Sequence, residues 1–326
     1  MRYYAPLALL LAAPVAAQDR PVLEVYTYDS FVTEWGPGPA IEEAFEATCA
    51  CDLRFTAAGD GAALLSRLKL EGARTDADVV VGLDSNLMQE AGETGLFGAS
   101  GLADVNWDLP IAWEDDTFVP FDWGYFAFVH RADFDAPTDF RALAESDTSI
   151  LIQDPRSSTP GLGLLLWVKT AYGEEAEAIW DGLADNIVTV TPGWSEAYNL
   201  FLEGEADMVL SYTTSPAYHL IAEEDEGFTA AAFDEGHYLQ VEVAAAVASS
   251  DQTELAQDFL AFLSSGEAQS ILPTTNWMYP AKTPEGGLPA GFDTLIAPEV
   301  ALLVPASETP ETTDAALAEW LTALGR

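Results

Sequence analysis

The chain reads as an α/β protein of two lobes with a ligand cleft between them and two hinge strands crossing from one lobe to the other. Three observations predict this. Short apolar strand-like runs alternate with amphipathic helical stretches from Val22 onward, as in largely parallel sheets. A hydroxyl residue followed by proline starts a helix directly after a strand-like run twice, at Thr159–Pro160 and Ser215–Pro216. Two long apolar segments, Phe118 to Val129 and Tyr238 to Val247, contain no loop chemistry and have the length to cross between lobes.

Taken in order, Val22 to Thr27 is a strand, Tyr28 to Pro39 a loop, Ala40 to Ala47 a helix and Asp52 to Thr56 a strand. Asp60 and Gly61 open a helix running to about Leu70, and Ala77 to Leu83 is the next strand, with Asp84 and Ser85 at its end. The second half repeats the grammar with a strand at Ser149 to Gln153, a loop at Asp154 to Ser158 and a helix through Trp167 and Val168. Ser195 is placed to cap a short helix carrying Ala197, Leu200 and Phe201 on one face, and Gly204 ends it. The run Asp207 to Tyr212 is a buried strand, followed by Thr213, Thr214 and Ser215 at its carboxyl end. Ligands of open parallel sheets lie beyond the carboxyl ends of strands, so these hydroxyls and the free N–H groups of the helices that follow are candidate site groups. The expected division is 18–121 with 246–326 in the first lobe and 122–245 in the second, joined by hinge strands rather than a flexible tether.

Residues 1–17 read as a secretory signal: Arg2, an apolar run from Ala5 to Leu11, Pro14, and Ala17 as the cleavage residue. The run is too short to span a membrane, and no other segment approaches the ~18 apolar residues required, so stable membrane insertion is not expected. Removal of the signal leaves about 309 residues, enough for two cores. With 54 Asp and Glu against 12 Lys and Arg, the formal charge of −42 argues against nucleic acid or anionic lipid as partners and favours cationic small molecules. Most of these carboxylates are accounted for by a solvated acidic surface.

Cys49 and Cys51 are the only cysteines. On an extended strand their side chains point to opposite faces, so a disulfide between them requires a local turn; whether they pair is left open. The three histidines, His130, His219 and His237, are scattered, and no metal site is expected. GxSxG, P-loop, HExxH and GxGxxG motifs are all absent, so an enzyme is not expected. Paired carboxylates acting on a glycan would be the enzymatic alternative, but among 54 acids accidental pairs carry no specificity. Aromatic residues beside loop chemistry carry more: Tyr28, Trp35, Trp194, Tyr212, Tyr218 and Trp277 suit the stacking of planar rings and the facing of a cation. Asp60 is either a helix cap or an acceptor for a ligand amino group.

YTYDSF at Tyr26, WGPGP at Trp35, QDPRSSTPGLGLLLW at Gln153, GWSEAY at Gly193, SYTTSPAYH at Ser211, EGHYLQVE at Glu235 and NWMYP at Asn276 resemble the periplasmic thiamine-binding proteins of bacterial thiamine ABC transporters. The resemblance runs from about Val22 to Pro280 and implies a two-lobed periplasmic binding protein, type II-like, in the cluster that includes ferric-ion and polyamine binders. Its cargo would be thiamine, thiamine monophosphate or thiamine diphosphate, with no cofactor, and its partner an inner-membrane ABC permease. A periplasmic location and a monomer are expected. By motif, Asp60 and Gly61 would contact the aminopyrimidine. Tyr28, Trp35, Trp194, Tyr212, Tyr218 and Trp277 would enclose the rings, and Ser158, Thr159, Thr213, Thr214 and Ser215 would face the hydroxyethyl arm or its phosphate. Ferric-ion binders use adjacent tyrosines, whereas Tyr212 here is followed by threonines, which disfavours iron. A polyamine or other organic cation is the alternative cargo.

Overall fold

The computed structural model describes residues 20–102 and 105–325, so the expected signal at 1–17 lies outside the described residues. The strands are β1 (Val22–Thr27), β2 (Asp52–Ala57), β3 (Val79–Asp84), β4 (Val119–Arg131), β5 (Ile150–Gln153), β6 (Ile187–Thr191), β7 (Met208–Tyr212), β8 (Phe228–Ala230), β9 (His237–Ala246), β10 (Tyr279–Pro280) and β11 (Ala301–Leu302). The helices are α1 (Gly38–Cys49), α2 (Gly61–Glu71), α3 (Met88–Glu93), α4 (Phe140–Ala144), α5 (Thr159–Tyr172), α6 (Ala176–Leu183), α7 (Trp194–Leu202), α8 (Pro216–Ala222), α9 (Thr253–Leu263), α10 (Gly266–Ile271) and α11 (Thr309–Leu324).

The strand order is β2-β1-β3-β9-β4-β7-β5-β6. The outer strands pair in parallel, β1 with β2 and β3 on one side and β5 with β6 and β7 on the other. The centre is antiparallel: β9 pairs with β3 and with β4, and β4 continues onto β7. The two long apolar segments are therefore neighbours in one continuous ribbon that joins both halves. One core, with Phe31, Phe45, Phe121 and Phe259, belongs to the first half, and a larger one, with Phe128, Phe140, Trp167 and Trp180, fills the second half and runs on to Leu64, Val80 and Leu83 of the first.

The tail departs from the expected grouping. Helix α11 packs against α5 and α6, and β11 pairs with β9 at His237 and Tyr238, so the end of the chain lies with the second half and not the first. The cause is in its apolar stripe: Ala316, Trp320 and Ala323 are buried, and the half-buried Lys169–Glu319 ion pair ties the helix to α5. The local turn that a Cys49–Cys51 bridge requires is present, since Ala50 adopts the left-handed conformation at φ 53° and the two cysteines are bonded.

Several helix starts differ in detail from the sequence reading. Helix α7 begins at Trp194 with Gly193 as its cap, leaving Ser195 inside the first turn, while Gly204 at φ 86° ends it as expected. Asp60 and Ser215 do occupy the cap positions of α2 and α8, whereas the cap of α5 is Ser158 and the expected cap, Thr159, is the first helical residue; none of these three caps makes a side-chain cap bond. Their oxygens are engaged elsewhere, and that diversion builds the site.

Candidate functional site

Between the two halves of the sheet lies a cleft of about 270 Å³, near the lower end of the ~300–1,000 Å³ typical of small-molecule sites. Nine of the thirteen expected residues line it: Tyr28, Trp35, Asp60, Thr159, Trp194, Tyr212, Ser215, Tyr218 and Trp277. Gly61, Ser158, Thr213 and Thr214 are buried behind its wall instead. The threonine turn folds inward, so that Thr213 N–H donates to the Tyr125 carbonyl at 2.9 Å and Thr214 Oγ1 lies 3.6 Å from Met278 Sδ.

The two halves meet at Asp60. Its Oδ2 accepts from Ser158 Oγ at 2.7 Å and from the Trp194 backbone N–H at 3.0 Å, both on the opposite half. Beside it, Gly61 N–H donates to Thr159 Oγ1 at 3.2 Å and Ala63 N–H to the Ser157 carbonyl at 3.0 Å. The approach is close enough that a Cβ on Gly61 would fall 2.5 Å from Thr159 Oγ1, which makes glycine the residue that fits. Burial raises the Asp60 carboxyl to about 6, and the bonds from Ser158 and Trp194 hold it from rising further. Among the described residues none donates to Asp60 Oδ1.

Aromatic faces close the rest. Trp35, half exposed at 51%, sits 6.3 Å from Trp194 across the cleft, and Trp194 stacks on Tyr198 at 5.0 Å. Trp194 Nε1 donates to Ser211 Oγ at 2.8 Å, and Ser211 shares a 2.7 Å hydrogen bond with Ser215, so the indole is fixed from behind. On the far wall Trp277 meets Tyr218 edge to face at 5.5 Å. Trp277 has φ 57°, a strained conformation for a bulky residue, held by its N–H donating to the Leu272 carbonyl at 3.1 Å. Glu223 braces two wall residues at once: it accepts from the Tyr218 hydroxyl at 2.9 Å and bonds His219, whose other ring nitrogen meets the Tyr198 hydroxyl at 2.9 Å.

The sequence reading missed Tyr198, Asn199, Glu242, Asn276 and Met278, all of which line the cleft. Glu242 and Asn276 flank the Tyr28 hydroxyl at 3.0 and 3.1 Å, and it donates to one of them at a time. The Tyr28 ring packs against Gly82, which is in β3 at φ 100° and would place a Cβ 2.1 Å from Tyr28 Cδ1 and 2.5 Å from Cε1. Gly82→Ala is therefore expected to push Tyr28 into the cleft and cost about 1–3 kcal/mol of stability. A thermal melt reads the second effect and ligand titration the first; unchanged values in both would show that the ring has room to move.

The matching family model, bacterial extracellular solute-binding protein, covers residues 38–275. Among curated relatives, the thiamine-binding periplasmic protein of Escherichia coli strain K12 is 53% identical over 98% of both chains. That of Haemophilus influenzae Rd is 41% identical over 88% of this chain and 87% of its own. A solved periplasmic thiamin binding protein superposes with TM-score 0.92 at 52% identity, covering 94% of this chain and 97% of that one. A ferric binding protein from Campylobacter jejuni shares the fold at TM-score 0.75 and 18% identity, over 92% and 99%. With about half of its residues identical over nearly the full length of the Escherichia coli relative and of the solved thiamin binding protein, the chain belongs to the bacterial extracellular solute-binding proteins, within the family of thiamine-binding periplasmic proteins.

Proposed function

We propose that this protein captures thiamine and its phosphate esters outside the cytoplasm and hands them to the inner-membrane permease of an ABC transporter, after export through its N-terminal leader and as a monomer. It binds and releases its cargo without chemistry: it is not an enzyme, and thiamine is cargo rather than cofactor. Among the described residues no helix is long and apolar enough to cross a membrane, in keeping with a protein that meets its permease from outside. The observation that carries the reading is the enclosure itself, in which aromatic faces from both halves surround a space bearing one free carboxylate oxygen. Planar rings and a fixed positive charge are what such a space holds best.

In this reading Asp60 Oδ1 accepts from the aminopyrimidine amino group, with Gly61 allowing the close approach. Tyr28, Trp35, Trp194, Tyr212, Tyr218 and Trp277 cover the rings, while Thr159 and Ser215 face the hydroxyethyl arm. Ser158, Thr213 and Thr214 act from behind the wall as positioning residues. The lobes, 18–121 with most of the chain after 246, and 122–245 with the α11 tail, close about β4 and β9.

Calorimetric titration with thiamine, using spermidine as the cationic control, tests this. Tight one-to-one thiamine binding with weak spermidine binding is expected. A folded sample that takes spermidine and ignores thiamine would replace this reading with the polyamine one. Trp194→Ala removes the cross-cleft face and the Ser211 bond together and is expected to weaken thiamine at least about tenfold; wild-type affinity in that variant would refute the clamp.

A further inference from the structure

Charged side chains are scarce in the cleft wall, where Asp60 and Glu242 are the only residues of ionisable acid or base type besides tyrosine. Asp60 is engaged across the cleft, but Glu242 is not. It lies near the middle of β9, 6% exposed, at the floor between the halves. The sheet register puts Asp84 of β3 beside it on one side and Asp122 of β4 on the other, so three carboxylates stand abreast on adjacent strands, which run ~4.8 Å apart. Asp84 and Asp122 are fully buried.

The groups around this row are neutral or of like charge. Tyr28 and Gln240 donate to Glu242 at 3.0 Å each, Asn276 donates to Asp122 at 2.6 Å, Asn86 and the Leu87 N–H serve Asp84, and Tyr212 of β7 faces the row from the second half. Among the described residues no lysine, arginine or histidine pairs with any of the three. Two fully buried side-chain oxygens in the same cluster, Asp122 Oδ1 and Gln240 Oε1, have no hydrogen-bond partner among the described residues. The three carboxylates do not converge as metal ligands either. The row is a buried carboxylate cluster with no basic partner among the described residues, and it opens on the cleft through Glu242.

We propose that Glu242, with Asp122 and Asp84 behind it, is the anionic partner that selects a fixed positive charge on the ligand, and that seating such a cation expels a proton from this carboxylate row into solvent. The inference rests on the thiamine reading, whose thiazolium supplies the charge. Burial holds Glu242 and Asp122 well above the ordinary carboxylate range when the cleft has no cation, and at Glu242 the neighbouring Asp122 and Asp84 carboxylates add to it. A cation against Glu242 reverses that balance, and an uncharged ligand of the same shape does not.

The experiment is calorimetric titration near neutral pH, in two buffers of different ionisation enthalpy, with thiamine and with an uncharged isostere carrying carbon in place of the thiazolium nitrogen. For the wild-type protein, thiamine should show a buffer-dependent heat of the sign of proton release and the isostere none. In Glu242→Gln, thiamine should bind about tenfold or more weakly, the isostere as well as before or better, and the buffer dependence should vanish. Thiamine binding without proton release in the wild type overturns the inference, as does a Glu242→Gln variant that keeps the wild-type preference for thiamine over the isostere. The wild-type measurement decides alone if that variant does not fold. Failure of the wild type to bind thiamine at all would overturn the ligand reading, and the inference with it.

Discussion

Asp60→Ala is expected to weaken thiamine binding about a hundredfold and to leave the lobes farther apart in solution, read as a larger radius of gyration by small-angle scattering. One carboxylate has two separate duties here. Its Oδ2 gathers Ser158 Oγ and the Trp194 N–H from the opposite half, which holds the lobes together, and its Oδ1, which accepts from none of the described residues, is the oxygen proposed to read the cargo. Alanine abolishes both and leaves two donors of the second half without an acceptor. Asn separates them: its single carbonyl oxygen can still take the Ser158 and Trp194 bonds, but the group facing the ligand becomes an NH₂ donor opposed to an amino group. Asp60→Asn should therefore keep the wild-type radius while losing most of the affinity. A radius that rises equally in both variants, or an Asn variant of full affinity, would show that Oδ1 does not read the ligand.

The unliganded protein should lose stability as pH rises, on the order of 5–10 °C in Tm between pH 5 and pH 8. Burial raises Asp60 and Asp84 to about 6 and lifts Asp122 and Glu242 further, whereas in the unfolded chain all four titrate near their ordinary values of about 4. Between those limits the folded state holds more protons than the unfolded one, so stability is fully present below about pH 4 for these groups and is lost as pH rises through their folded-state values, by up to ~1.4 kcal/mol per group per pH unit. The excess of acidic residues adds repulsion of the same sign. A cationic ligand at the carboxylate row offsets this, so thiamine should raise Tm more at pH 8 than at pH 5. Differential scanning fluorimetry across that range, with and without thiamine, checks both trends; a Tm that climbs with pH in the unliganded protein would mean the buried acids are ionised and paired.

Much of this site was legible because strand ends and helix starts announce themselves locally. Thr159 and Ser215, each next to a proline, and Asp60 before a glycine mark where a helix begins after a strand, and all three face the cleft. The local grammar also misleads at those places: it reads Thr159 as the cap of α5 where Ser158 takes that position, and the oxygens of Asp60, Ser158 and Ser215 reach across the cleft or to neighbouring hydroxyls instead of capping. Thr213 and Thr214 look like exposed loop hydroxyls and are buried, because a turn's direction depends on what it packs against. The carboxylate row was illegible for a different reason. Gln240 and Glu242 are two polar residues on one face of an otherwise apolar strand, a signal available in the sequence, but only strand register brings Asp84 and Asp122 alongside. The tail was misgrouped because the helix it packs on, α5, is buried through most of its length and gives no sign of which helix covers it.

The central antiparallel ribbon has a consequence for how the molecule is made. Val79 pairs with Ala246 and Val119 with Ala244, so the third strand of the first lobe has no neighbour on that side until three quarters of the polypeptide has emerged. Closing so long a loop carries its entropic cost before any pairing returns it, which slows folding relative to a chain of local contacts. A nascent chain of this kind stays unfinished through most of its synthesis, with β3 as an open edge, and the segment that completes the first lobe is also the one that ties it to the second. Acquisition of a folded first lobe and acquisition of the hinge are therefore one kinetic event.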